Sequence, residues 1–355
     1  MFESKWNQVA DILVNYSTRV QPGDKVLITM MEIETFPLVL AVFAEAVKAG
    51  GHPHVELQSA LIDRVLMANG TQEQIGTIPE MHEIGMNWAD VYIGLRGASN
   101  PYELSDISAD KLSTRKRAMG KISALRIERT RWVLSRIPNV TLAQQAKMST
   151  EEMMAFYFSA TIKDWEKESE RYAEIQKVFQ SGQEVRVVGK ETDIRFSTKG
   201  RKYVIGSGTH NIPDGEVFTA PVDDSLEGKI FFEFPGVYAG KFIEKIRLEF
   251  KEGKITKATA DENDDLLKSI VAMNGADRIG EFGIGTNFGI DRFIGDLLFD
   301  EKIGGTIHLA LGWAYESCNG VNKSSIHWDI IKDLREEGEI YLDGDLVLKN
   351  GEFLF

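Results

Sequence analysis

The chain has 355 residues, 43% hydrophobic and 10% aromatic, a composition that suits a folded protein of two domains and excludes intrinsic disorder as its main state. Lys and Arg number 41 against 54 Asp and Glu, a formal net charge of −13, so neither nucleic-acid binding nor docking on an anionic membrane is expected. A single cysteine, Cys318, excludes an intramolecular disulfide, gives no support for a thiolate zinc cluster, and favours a reducing, cytoplasmic setting.

Residues 1–23 place acidic groups early and apolar residues at helical spacing, so they read as a mature N-terminus and not as an export signal. No run of about 18 apolar residues occurs, so no membrane span is expected. Trp6, Val9, Ala10, Ile12, Leu13 and Tyr16 mark one face of a helix that should end before Gln21-Pro22-Gly23-Asp24. Lys25–Thr29 then reads as a buried strand, Phe36–Lys48 as an apolar helix stopped by Gly50-Gly51, and His54–Leu57 as a second strand. Val91–Leu95 and Trp132–Ser135 repeat the strand signal around a basic helix over Lys111–Ile127. This alternation predicts an N-terminal α/β domain whose mostly parallel sheet is covered by helices.

Ser149 with Glu152 as a capping box, or Thr150 alone as the cap, opens the next helix. Lacking Gly and Pro as far as Gln180, it is predicted to run unbroken for about 30 residues to a domain boundary at Ser181-Gly182. The expected domains are therefore 1–181 and 182–355. Beyond the boundary the texture changes: 23 of the 32 glycines lie in 181–355, and short alternating segments such as EVRVVG and KIRLEFKEGKITKATA predict a strand-rich α+β domain, with a helix over Asp264–Asn274. That half carries net −10 against −3 for residues 1–180, so the acidic excess sits there and a bound cation would offset part of it.

Four short segments carry candidate chemistry. In His327-Trp328-Asp329 an extended backbone would project the imidazole and carboxylate to one face, as metal ligands would, although for the tripeptide alone a surface His beside a helix-capping Asp is the commoner meaning. His308 lies mid-strand in Thr306–Gly312, where the bland reading is a core histidine with both ring nitrogens satisfied. Glu281 in Gly280-Glu281-Phe282-Gly283 and Glu216 in DGEVFTAP are carboxylates among apolar neighbours, a setting that costs several kcal/mol unless the charge is paired or metal-bound. Together they form a carboxylate-rich, nitrogen-assisted set suited to zinc, cobalt or manganese. Five candidates exceed one closed tetrahedral site, so two divalent ions about 3.5–4 Å apart sharing a carboxylate would use them more naturally.

The segments VQPGDKVLI, RTRWVL, HNIPDGEVFTAP, IGEFGIGTN, TIHLALGWAY and NKSSIHWD, in this order over most of the chain, resemble the M29 metallo-aminopeptidases. The resemblance implies two divalent ions per chain held by Glu216, Glu281, His308, His327 and Asp329, with Tyr315 at the same site. It also implies a homodimer that takes peptides with a free N-terminus, its partner and the N-terminal domain helping to enclose the site. The expected activity is release of N-terminal amino acids by a metal-bridging hydroxide. Glu281 is expected to bridge and to act in catalysis, with Glu216 and Asp329 on one ion and His308 and His327 on the other. Tyr315 would donate to the tetrahedral oxyanion or complete a metal shell, and Glu316 is a weaker candidate for a general base. The chain departs from the family in being shorter and in having a compact segment after His308.

A second resemblance, to the 2,5-dihydroxypyridine dioxygenases, implies a single iron(II) in a two-His-one-carboxylate site, but that reading wants a His near position 281 and no Glu at 216. The basic run Arg115-Lys116-Arg117 is read as a solvated helix face and Cys318 as a small packed residue. No G-x-G-x-x-G follows a strand, and no G-x-S-x-G occurs, so neither a dinucleotide fingerprint nor a nucleophile elbow is expected.

Overall fold

The computed structural model describes residues 2–97, 100 and 102–355. They form two compact units, one built from the chain up to Lys163 with Gly208–Pro213, the other from Asp164–Ser207 and Asp214–Phe355. In the first, five parallel strands lie in the order His52–Gln58, Lys25–Met31, Val91–Arg96, Arg131–Arg136 and Asn211–Ile212. Val26, Leu27, Ile28, Val91, Ile93 and Leu95 are all buried, as strands covered on both faces require. The helix Phe36–Lys48 has the predicted ends, and the basic helix spans Ala109–Arg129. Lys116 and Arg117 are exposed on it while Arg115 pairs with Asp63 at 2.7 Å, an arrangement of a solvated face.

The single long helix expected after Ser149 is two helices, Thr150–Thr161 and Trp165–Ser181. The first opens on the Ser149–Glu152 capping box, but Ile162 turns extended and Asp164 Oδ1 accepts from Lys167 N at 3.2 Å, starting a second helix. A side-chain oxygen that caps a new turn interrupts a helix without Gly or Pro. The division consequently falls at Lys163-Asp164 and not at Ser181-Gly182, which changes the expected domains 1–181 and 182–355. Trp165–Ser181 belongs with the second unit, where Gln176 donates to Tyr203 O at 2.5 Å and Gln180 to Arg201 O at 3.0 Å. Gly208–Pro213 returns to the first unit because Asn211–Ile212 pairs with the edge of the parallel sheet, Asn211 opposite Leu134.

The second unit is strand-rich, as expected. Its eight-stranded antiparallel sheet runs Lys254–Thr259, Arg247–Lys251, Glu227–Phe231, Thr192–Ser197, Glu184–Gly189, Glu339–Leu342, Asp345–Lys349 and Glu352–Phe353. Val185, Val187, Ile194, Phe196, Leu248 and Phe250 alternate inward from it. A five-stranded antiparallel sheet runs His327–Asp333, Thr306–Gly312, Ile279–Gly285, Glu216–Thr219 and Val204–Gly206. One face of this smaller sheet presents Val217, Phe282, Ile284, Ile307, Leu309, Leu311, Trp328 and Ile330, all buried. Phe282 meets Phe196 of the larger sheet edge to face at 4.9 Å, so the two sheets share an apolar core. Phe282→Ala is expected to lower the unfolding free energy by about 3–5 kcal/mol, read from the urea midpoint, and a negligible shift would mean that this contact does not join the sheets.

Candidate metal centre

Because side chains alternate along a strand, the opposite face of the smaller sheet carries Glu216, Phe218, Glu281, Gly283, Gly285, His308, Ala310, Gly312, His327, Asp329 and Ile331. Gly283 on this face makes room for the His308 ring, and Gly285 and Gly312 for the close approach of the Ile303 and Ile326 backbones, so the polar residues crowd together there. Glu281, Ala310 and Asp329 form one cross-strand row, and a β-bulge between Ile279 and Glu281 sets the aim of the carboxylate. Gly283 faces His308 directly, and a Cβ there would lie 2.0 Å from His308 Nε2, so only glycine leaves room for the imidazole.

The five side chains expected at the centre come together as two triads, Glu216–Glu281–His308 and Glu281–His327–Asp329, with the ligating atoms of each within 4.8 Å of one another. Glu281 belongs to both. Its Oε1 lies 3.0 Å from His308 Nε2 while its Oε2 lies 3.6 Å from His327 Nε2. Glu216 Oε2 is 3.5 Å from His308 Nε2, and Asp329 Oδ2 is 3.5 Å from His327 Nε2. This grouping corrects the expected partition, which put Glu216 with Asp329 and His308 with His327. Glu216 and Asp329 stand on strands three positions apart in the sheet, and neither triad holds both.

Burial and missing partners both point to a cation. Glu281, Asp329 and His308 are 5%, 4% and 0% exposed, yet among the described residues the carboxylate oxygens Glu216 Oε2, Glu281 Oε2 and Asp329 Oδ1 have no hydrogen-bond partner. Native proteins rarely leave several buried acceptors unsatisfied in one place, and the donor set, carboxylate oxygen with imidazole nitrogen, fits zinc, cobalt or manganese. His327 Nδ1 faces the Trp313 carbonyl at 2.8 Å, so its Nε2 is left to face Glu281 and Asp329, the orientation an outer hydrogen bond imposes on a ligating histidine.

The electrostatics follow from this crowding. Burial would favour a neutral His308, but the hydrogen bond to Glu281 and the charges of Glu216 and Asp329 outweigh it and push the ring up to about 9. Burial likewise opposes charge on His327, while Asp329 and Glu281 push it up to about 10. Burial would raise Asp329, yet His327, His308 and Lys302 draw it down to about 2. Glu216 is raised to about 8 by burial, with Lys302 and His308 pulling against that.

Tyr315 stands beside His327, its ring 5.0 Å from that of His327 and 4.8 Å from that of Trp313. Burial and then Glu281 and Asp329 raise its phenol, which stays protonated and able to donate. Glu316 does not fit the general-base role weighed for it: its side chain is 78% exposed and pairs with Lys323 at 3.0 Å. Cys318 is buried against Ala220 and Ala314, and burial with the nearby Glu281 charge pushes its thiol up to about 12, an inert packed residue as expected. Lys302 is not among the residues expected here: its buried ammonium lies 3.6 Å from Glu216 Oε1 and pairs with Glu301. Burial opposes its charge, and Glu216 and Glu301 more than restore it. The available signal was Asp300-Glu301-Lys302, three charges in an otherwise apolar and glycine-rich stretch just before the His308 strand.

The sequence model of the family described as Thermophilic metalloprotease (M29) matches residues 2–353. The chain is 23% identical to Aminopeptidase 2 of Geobacillus stearothermophilus over 416 aligned positions, covering 100% of this chain and 98% of that protein. It is also 23% identical to Aminopeptidase PepS of Streptococcus thermophilus, with 99% and 98% covered. Among solved structures, wild-type AmpT from Thermus thermophilus superposes with a TM-score of 0.87 at 21% identity, 100% of each chain being covered. The 2,5-dihydroxypyridine dioxygenase from Pseudomonas putida KT2440 shares the fold at a TM-score of 0.63 and 14% identity, over 99% of this chain and 97% of that one.

Both imidazoles hold protons more tightly in the folded, metal-free protein than at the ordinary value of 6.5, so their ion pairs stabilise fully below that pH and the contribution is lost as pH rises through about 9 to 10. Zinc uptake near neutral pH is therefore expected to release protons, visible as a buffer-dependent heat in calorimetry; a buffer-independent heat would contradict these charge states. Gly283→Ala is expected to displace the His308 ring and weaken zinc affinity by about 10–100-fold, measured by chelator competition, with unchanged affinity counting against the close approach.

Proposed function

The chain belongs to the thermophilic metalloprotease family M29, and from that premise we propose that it is a dinuclear metallo-aminopeptidase that releases N-terminal amino acids from peptides. The observation that carries the reading is the placement of Glu281, which offers one carboxylate oxygen to each of two His-carboxylate halves. Glu216 and His308 would complete one ion's protein ligands, and His327 and Asp329 the other's. Two such ions, zinc, cobalt or manganese, would supply a water of lowered pKa, an anchor for the free α-amine and polarisation of the scissile carbonyl.

The chain's own residues contribute the rest. Glu281 sits between the two halves, where it would hold both ions and so keep the water they activate beside the scissile carbonyl. Tyr315, protonated beside His327, would donate a hydrogen bond to the oxygen that becomes negative as the peptide carbonyl is attacked. The buried face around Glu281 and His308 lowers the local dielectric, which strengthens each of these interactions. A dinuclear site agrees with three carboxylates and two imidazoles better than does a single iron(II) in a two-His-one-carboxylate triad. A homodimer belongs to the same proposal and is supported by the exposed apolar row Phe36, Leu40, Phe43 and Val47 on one helix, as is a reducing cytoplasmic location by the lone buried thiol of Cys318.

Stripping the protein with chelator and titrating cobalt, zinc or manganese back is expected to restore amino-acid release from peptides with a free N-terminus, but not from acetylated ones, saturating near two ions per chain. Glu281→Gln is expected to abolish hydrolysis in a protein that stays folded by circular dichroism, and near-normal turnover would remove the assignment. Oxygen uptake with iron(II), in the absence of hydrolysis with any metal, would favour the dioxygenase reading instead.

A further inference from the structure

Lys302 is a fully buried cation whose place is fixed by backbone on both sides: its N–H donates to Phe299 O at 3.0 Å, and its carbonyl accepts from Asn287 N at 3.0 Å. Gly285 of the metal-centre sheet passes so close that a Cβ there would lie 3.0 Å from the Lys302 carbonyl carbon. The ammonium is thereby held against the sheet, where it touches Glu216 at 3.6 Å and Glu301. Burying an ammonium costs several kcal/mol unless it is paired, so this placement needs the two carboxylates to persist.

The placement favours one half: the ammonium touches Glu216, which belongs to one triad only, and acts on Asp329, on the far strand of the same sheet, only as a more distant charge. We propose that Lys302 is a positioning residue that makes the two halves unequal, its fixed charge beside Glu216 causing the Glu216–Glu281–His308 half to take its ion second and more weakly than the Glu281–His327–Asp329 half. This inference rests on the two-ion reading above. Exchange of a proton for the ion at Glu216 does not reverse the sign, because Lys302 repels a divalent ion twice as strongly as the proton it displaces. Glu301 offsets part of that repulsion, so the Glu301–Lys302 pair sets the gap between the two halves. The centre would then hold one ion tightly and exchange the other with its surroundings.

The test uses the full-length, metal-stripped protein with zinc as the probe, stepwise constants from competition with a chromophoric chelator, and zinc counted per chain by native mass spectrometry. Lys302→Met is expected to tighten the second step by about tenfold or more while changing the first less, and Glu301→Gln, which leaves the ammonium leaning on Glu216 alone, is expected to weaken the second step. Two equal steps in the natural protein, or an unchanged second constant in Lys302→Met, would overturn the inference while leaving the two-ion reading intact. If Lys302→Met fails to fold, Glu301→Gln decides, and an unchanged or tighter second step overturns the inference. A natural protein that binds one zinc would end the two-ion reading; Lys302→Met gaining a second zinc would then support the charge effect, and remaining at one would overturn it.

Discussion

The structure turns on a carboxylate placed in the middle of a strand that is buried on both faces. Glu281 has Phe282 on one side of the sheet packed into the core and, on its own side, neighbours reduced to glycine and alanine. An ionised group there is tolerable only if positive charge comes to it, and the second unit is arranged to bring that charge. His308 reaches it across one strand, His327 across two, and Lys302 supports Glu216 from a separate segment. Small residues in the strands are what admit these groups, since a methyl at Gly283 would occupy the position of the His308 ring.

The same arrangement explains why the pairing of ligands follows strand order and not residue type. Residues two apart on one strand, His327 and Asp329, are bound to act together. Glu216 joins His308 because its strand lies beside that of Glu281, with His308 on the next strand over, while Asp329 is at the opposite end of the sheet. A sheet therefore lays out the two halves side by side, with the central strand supplying what they share. Lys302 adds an asymmetry that the five ligating residues alone lack.

Much of this was legible in the sequence, and for identifiable reasons. Strands such as Thr306–Gly312 and the helix Phe36–Lys48 have sharp ends because glycine or an apolar-to-polar change marks them. The ligand residues stood out because charged groups in apolar, glycine-flanked segments require an explanation. What escaped was long-range: which ligands share a half depends on strand order, which no local pattern contains. Lys302 escaped because a lysine in a charge run ordinarily faces water, and only the fold shows this one enclosed. The Asp164 break is invisible in Gly and Pro content, because a side-chain cap ends one helix and starts the next without either residue.

The return of Gly208–Pro213 to the first unit has a consequence for how the chain comes to be folded. The polypeptide passes between the units at three places, after Lys163, after Ser207 and after Pro213, so neither unit corresponds to a contiguous stretch of gene. During synthesis from the N-terminus, the parallel sheet waits with the Arg131–Arg136 strand as a bare edge until Asn211 and Ile212 emerge. A fragment ending at Lys163 would keep that open edge permanently and would invite pairing with other chains. The first unit is thus finished by residues made only after the second has begun, so neither unit can be completed from one uninterrupted stretch of chain.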